Sequence, residues 1–310
     1  MSVAAPGRTS PWGGSWFVVP TPFDSEGALD LASLRRLVDA AIGWGVAGLA
    51  VMGVTSEAAA LSERERRDAL AAIFEATAGR VPVVVGCSHP EPDVVVRRAI
   101  EAGALGAAAV MASAPPAATE AMDLPGFFAR VATESGQPMV IQDDPASTGV
   151  TIPAPMLLRV VEASGARVVK LEDPPTPPKI AELVAARPDL RVFGGMGGLR
   201  ALDELRAGAC GTMTGFAFPE ILAAVHAAIR DGDPDGAASL FDLHLPLIAF
   251  EAQPVIGLAI RKELLRRRGA IAQAVTRGPV RTTDPVTSGD LDALLVRQGI
   301  APGIDRLPVR

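Results

Sequence analysis

Short apolar runs alternate with longer amphipathic stretches along the first two-thirds of the chain. The runs cover 15–20, 48–52, 81–86, 107–111, 138–142, 167–171, 190–193 and 209–213, and are rich in Val, Ile, Ala and Met. Brief continuous apolar runs suit strands buried on both faces of a parallel sheet. Between the first two, 31–42 places Leu31, Leu34, Val38 and Ile42 on one helical face. Segment 62–77 opens with Ser62 and Glu65, the spacing of a capping box. Helical patterns continue over 94–102, 124–135, 154–163, 178–186 and 198–207.

Eight strand–helix repeats are the arithmetic of a (β/α)8 TIM barrel. An open doubly wound sheet shares the alternation but seldom runs to eight evenly spaced units. From Pro219 onward the strand pattern stops, and 219–229, 234–250, 254–268 and 288–298 read as helices. The expected layout is an N-terminal tail over 1–14, a barrel over 15–230 and a C-terminal helical extension over 231–310.

Composition narrows the partners. The formal charge is −6 and the arginines are dispersed, so nothing points to nucleic acid. The one tight basic cluster, Arg266-Arg267-Arg268, is expected on a solvated helix face. The uncharged runs 40–56 and 102–119 are interrupted by Gly or Pro, which favours buried turns and strands over membrane spans. The opening segment lacks the pattern of a secretory signal, so a cytoplasmic protein is expected. Two cysteines, Cys87 and Cys210, make neither a disulfide scaffold nor a metal site. There is no tyrosine, and only three of the 29 basic residues are lysines: Lys170, Lys179 and Lys262.

Barrel enzymes carry their chemistry at the carboxyl ends of the strands. There the chain offers Thr21-Pro22-Phe23, Gly53-Val54-Thr55-Ser56-Glu57, Ser88-His89, Ala114-Pro115-Pro116, Gln142-Asp143-Asp144-Pro145, Lys170-Leu171-Glu172-Asp173, Gly194–Gly198 and Met213. Lys170 follows Val168-Val169 at the end of an apolar strand, which aims its amine into the barrel mouth. Burial disfavours an ammonium, and a neutral amine attacks carbonyls. The competing reading is a structural ion pair with Glu172 or Asp143. Lys179 and Lys262 are expected in solvent. The glycines of 194–198 either admit an anion to the backbone or relieve a tight strand–helix turn. His89 reads as incidental, and Met111, Met196 and Met213 as core or pocket lining.

This order of motifs resembles the pyruvate-dependent class I lyases typified by dihydrodipicolinate synthase and N-acetylneuraminate lyase. The likeness spans about Trp16 to Ile300. It rests on Thr21-Pro22-Phe23, the Gly53–Glu57 loop with Leu61-Ser62 and Glu65-Arg66 behind it, Pro145 with Thr148-Gly149, and Lys170. The resemblance implies a barrel whose Lys170 forms a Schiff base with a 2-oxo acid, with no metal or organic cofactor, in a homo-oligomer (dimer or tetramer). It implies that the Gly53, Val54, Thr55, Ser56 and Glu57 loop holds the keto acid's carboxylate, Thr55 and Ser56 donating, with Gly195 and Met213 beside the substrate.

The departures are equally specific. Val54 and Ser56 replace the family's first threonine and second glycine. Gln142 stands for the tyrosine that relays protons, and it cannot ionise. The tyrosine pair after strand four is gone near Ala114-Pro115-Pro116, and Ser147 replaces the synthase arginine. Authentic dihydrodipicolinate synthesis is therefore not expected. Asp143 or Asp144 is the first candidate for the missing proton relay, although an Asp before Pro145 also serves as a turn cap. The expected function is a Schiff-base lyase, of aldolase or dehydratase type, acting on pyruvate or another 2-oxo acid and an aldehyde. Two alternatives stand beside it. One is an enolate-forming lyase whose Glu57, Asp143, Asp144 and Glu172 hold Mg²⁺ or Mn²⁺; the other is a non-catalytic descendant that binds a keto acid.

Overall fold

A computed structural model describes residues 12–116 and 122–309; most of the tail expected over 1–14, and the last residues of the 102–119 run, lie outside the described residues. All eight apolar runs are strands: β1 (Gly14–Val18), β2 (Gly48–Val51), β3 (Val83–Gly86), β4 (Ala109–Ser113), β5 (Met139–Asp143), β6 (Val168–Leu171), β7 (Arg191–Gly194) and β8 (Gly211–Thr214). Each pairs in parallel with the next, and β8 returns to β1, so the sheet closes into a barrel.

Alternation along each strand sorts side chains into two cores. Trp16, Val18, Met111, Val140, Val168, Phe193 and Met213 fill the barrel, while Phe17, Leu49, Ile141, Val169 and Leu171 face the helices. Trp16 plugs the amino end, stacked on Trp12 and edge-on to Phe193. Its indole needs Gly48, because a Cβ there would lie 2.6 Å from the ring.

The enclosing helices are α1 (Leu31–Gly43), α2 (Glu63–Thr77), α3 (Pro92–Ala104), α4 (Leu124–Ser135), α5 (Pro145–Thr148), α6 (Ala154–Ser164), α7 (Thr176–Ala186), α8 (Ala201–Arg206) and α9 (Pro219–Arg230). The Ser62–Glu65 capping box forms at the start of α2. Helix α8 is shorter than the pattern over 198–207 predicts. Gly197 and Gly198 take positive φ (65° and 90°), which ends a 3-10 turn and delays the helix.

Beyond the barrel lie α10 (Pro234–Glu251), α11 (Gly257–Arg267) and α12 (Pro285–Arg297). Among the described residues no helix is long and apolar enough to cross a membrane. The arginine cluster is not uniformly solvated, as its charge alone suggested. Arg268 is buried at the end of α11, where it binds the Glu220 carboxylate and lies 3.7 Å over the Trp44 ring. A guanidinium enters a core only with a carboxylate to neutralise it and acceptors for its donors.

Candidate active site

The same alternation that buries Val140 and Val168 inside the barrel turns Gln142 and Lys170 inward at its carboxyl end, in register with each other. Lys170 is 6% exposed. Its Nζ lies 2.8 Å from Glu172 Oε2, and that oxygen also accepts the Gln142 side-chain N–H at 2.8 Å. The other Glu172 oxygen accepts from the Met196 N–H at 3.4 Å. Gln142 Oε1 in turn accepts from the Ser113 hydroxyl at 3.2 Å. A polar chain therefore runs across β4, β5 and β6 and ends at one amine against one carboxylate.

Gly195 makes room for this pair. A Cβ on it would sit 2.4 Å from Glu172 Cγ. The glycine-rich loop after β7 thus receives an anion, but that anion is the protein's own glutamate. Met213 is fully buried in the inner core. A cavity of about 570 Å³ opens beside Gln142, lined by Val54, Ser88, His89, Ser113 and Ser147 among others.

The two aspartates expected as relays part company. Asp143 points outward, buried between barrel and helices, with Lys179 Nζ 2.5 Å from its Oδ2. Burial pushes its carboxyl up to about 6 against the opposing pull of Lys179. Asp144 caps the single turn of α5, accepting from the Ser147 N–H and hydroxyl. Burial, then the nearby Glu172 charge, raises its pKa. The cap reading holds for Asp144, and neither aspartate bonds to Lys170 in this arrangement.

In the 53–57 loop, the Ser56 hydroxyl donates to the Val19 carbonyl at 2.7 Å, away from the mouth. Its own carbonyl accepts from Thr21 Oγ1 at 2.5 Å. Thr55 stays half-buried beside the exposed Val54, and Gly53 opens the turn at the inner wall, facing Met111 and Val18. Glu57 takes φ 54° and sends its carboxylate backwards to Lys262 and the Arg277 N–H.

Lys179 and Lys262 are therefore not solvated as their helix positions suggested. The Lys179 side chain is 11% exposed and Lys262 0%, each bound to carboxylates. Burial lowers the pKa of Lys262, opposed by Glu57. The scarcity of lysine, which singled out Lys170, was a signal for all three.

The carboxylates proposed for a metal do not converge. Glu57 faces Lys262, Asp143 faces Lys179 and Glu172 faces Lys170. Among the described residues no three His, Cys, Asp or Glu side chains are grouped to hold a metal ion.

Comparison with known proteins agrees with this geometry. Residues 12–297 match the model of the dihydrodipicolinate synthetase family. The L-2-keto-3-deoxyarabonate dehydratase of Azospirillum brasilense is 37% identical over 288 residues, 90% of this chain and 92% of that protein. The 4-hydroxy-tetrahydrodipicolinate synthase 1 of Streptomyces coelicolor is 30% identical over 91% of this chain and 93% of its own length. Among solved structures, dihydrodipicolinate synthase from Rhodopseudomonas palustris superposes with a TM-score of 0.88 at 32% identity, covering 94% of this chain and 99% of that one. With its barrel closed and its strand-six lysine facing inward, the chain belongs to the dihydrodipicolinate synthetase family and is a lyase.

Proposed function

We propose that the protein is a Schiff-base dehydratase acting on a 2-oxo acid with a methylene at C3, a hydroxyl at C4 and a hydroxylated tail. The observation that carries this reading is the Lys170–Glu172 contact of 2.8 Å inside the barrel mouth, where Gln142 stands in place of an ionisable phenol. Glu172 takes a proton from the Lys170 ammonium, the free amine attacks C2, and the C2 oxygen leaves as water with one proton from the nitrogen and one returned by Glu172, which is then a carboxylate again. The iminium formed makes the C3 proton acidic, and Glu172, now at bonding distance from the same nitrogen, is placed to receive it. The enamine then expels the C4 hydroxyl, which departs as water with the proton from Glu172. Hydrolysis of the unsaturated imine returns Lys170.

Three features support the substrate class. The cavity beside Gln142 is lined by Ser88, Ser113, Ser147 and His89, side chains that suit a polyol tail, while the two arginines that also line it are engaged elsewhere, Arg66 by the Gly86 carbonyl and Arg98 by Glu63. Ser147 stands where the resemblance places the synthase arginine. The dehydratase at 37% identity acts, by its name, on a 3-deoxy-2-oxo sugar acid. Thr55 is the hydroxyl of the 53–57 loop left to bind the substrate carboxylate. The same reading carries a homo-oligomer, checked by mass in solution.

Borohydride with pyruvate should add a trapped adduct to the Lys170 peptide, and K170A should abolish it. E172Q should be trapped more slowly, with solvent base freeing the amine, but to the same extent on long incubation, while turnover of 3-deoxy-2-oxo sugar acids falls about 100-fold or more, the scale of losing a general acid–base. If no 2-oxo acid is trapped on the wild-type chain, the reading is wrong.

A further inference from the structure

Behind the barrel wall lies a second ionic cluster. Gln142 and Glu172 point inward, and the residues that follow them, Asp143 and Asp173, both meet Lys179 in the first turn of α7. Lys179 Nζ lies 2.5 Å from Asp143 Oδ2, 2.8 Å from Asp173 Oδ2 and 2.6 Å from the Ile152 carbonyl. An ammonium has three donors, and all three are used. The Glu172 N–H also donates to the Asp143 carbonyl at 2.8 Å.

We propose that Lys179 is a positioning residue: by clamping Asp143 and Asp173 outside the barrel, it sets Gln142 and Glu172 against Lys170 inside. The role rests on the reading of Lys170 and Glu172 as the reacting pair. Adjacent residues share a peptide plane, so a carboxylate tethered on one side restricts its neighbour on the other. Loop 172–175 follows β6 directly and holds two successive prolines, Pro174 and Pro175. Without the clamp, Glu172 is tied to β5 by its backbone bond to Asp143 and by the Gln142 side chain. Displacement of a reacting group by about 1 Å can cost roughly 100-fold in rate, and groups held by a supporting layer of bonds are the ones that keep their geometry.

The variants D173N and K179M test this in the full chain. D173N leaves the Asp143–Lys179 pair in place, so it reads the clamp even where K179M strands the buried Asp143 and fails to fold. Expected for D173N are pyruvate–borohydride trapping within about threefold of wild type, kcat for the dehydration down about tenfold or more, and KM little changed. In an E172Q background the added D173N should change kcat little, because a positioning residue acts only through the group it positions. An unchanged kcat in D173N, or a loss that repeats in full on E172Q, overturns the role. Failure of the wild-type chain to be trapped overturns the catalytic reading instead, which separates the two.

Discussion

Glu172 is placed by three independent contacts: the Lys170 ammonium, the Gln142 amide and the Met196 N–H. Its side chain also occupies the volume above Gly195. Lys170 and Glu172 stand two apart, and in extended chain such residues share a face. That Lys170 could meet an acid from its own segment was therefore legible. Which acid stands against Lys170 was not, because Asp143 and Asp144 stand just as near the strand end and only the fold turns one outward and ties the other into a cap. Gly195 supplies a sharp check. G195A puts a Cβ 2.4 Å from Glu172 Cγ, so the carboxylate must leave Lys170 or the loop must shift. Turnover in G195A should fall at least tenfold, while pyruvate trapping on Lys170 persists. Wild-type turnover in G195A would show that the pair tolerates displacement.

Between elements, the packing of α8 on β7 stores a titration. Glu204 of α8 is buried against Gly194, where a Cβ would lie 1.8 Å from Glu204 Oε2, and it accepts from the Thr176 hydroxyl of α7 at 2.6 Å. Burial raises its pKa to about 7, with Thr176 opposing and the Glu172 charge adding to the rise. The folded state thus holds this proton more tightly than the unfolded chain, whose glutamates titrate near 4.5. Stability from Glu204 is full below that value and is lost as pH rises towards 7, by up to about 3 kcal/mol. Asp143, raised to about 6, adds a loss of the same sign, so the comparison must be with a variant. Urea unfolding of E204Q at pH 5 and pH 8 should show a smaller drop than wild type. An equal drop would mean that Glu204 is already ionised in the fold.

For the molecule as a whole, the C-terminal extension braces the mouth. Lys262 of α11 reaches Glu57 across 205 positions of sequence, lies 4.4 Å from the Phe23 ring centroid, and donates to the Val275 carbonyl. The Glu57 carboxylate also accepts from the Arg277 N–H, so the loop that starts at Gly53 is anchored at its far end. Removing one partner of a buried pair strands the other charge. K262M should destabilise the chain by about 3–5 kcal/mol in urea unfolding, and adding E57Q to it should recover part of the loss. Equal stability of K262M and wild type would remove the brace.

The sequence by itself determined the barrel and the amine. Strand and helix periods are local properties, repeated eight times, and one lysine at the end of an apolar strand has an inward face by alternation alone. The tyrosine losses were equally plain, and with them the departure from the synthase. Tertiary structure decided the pairing of charges. Three lysines and their carboxylates lie 2 to 205 residues apart in the chain, and an ion pair depends on distance in space, which no local pattern encodes. Lys179 looked solvated because it follows Pro177-Pro178 at a helix start, and Lys262 because it lies between Arg261 and Glu263 in a charged helix. The closed barrel and the packed extension removed water from both, and once water is gone a charge remains only where an opposite charge meets it.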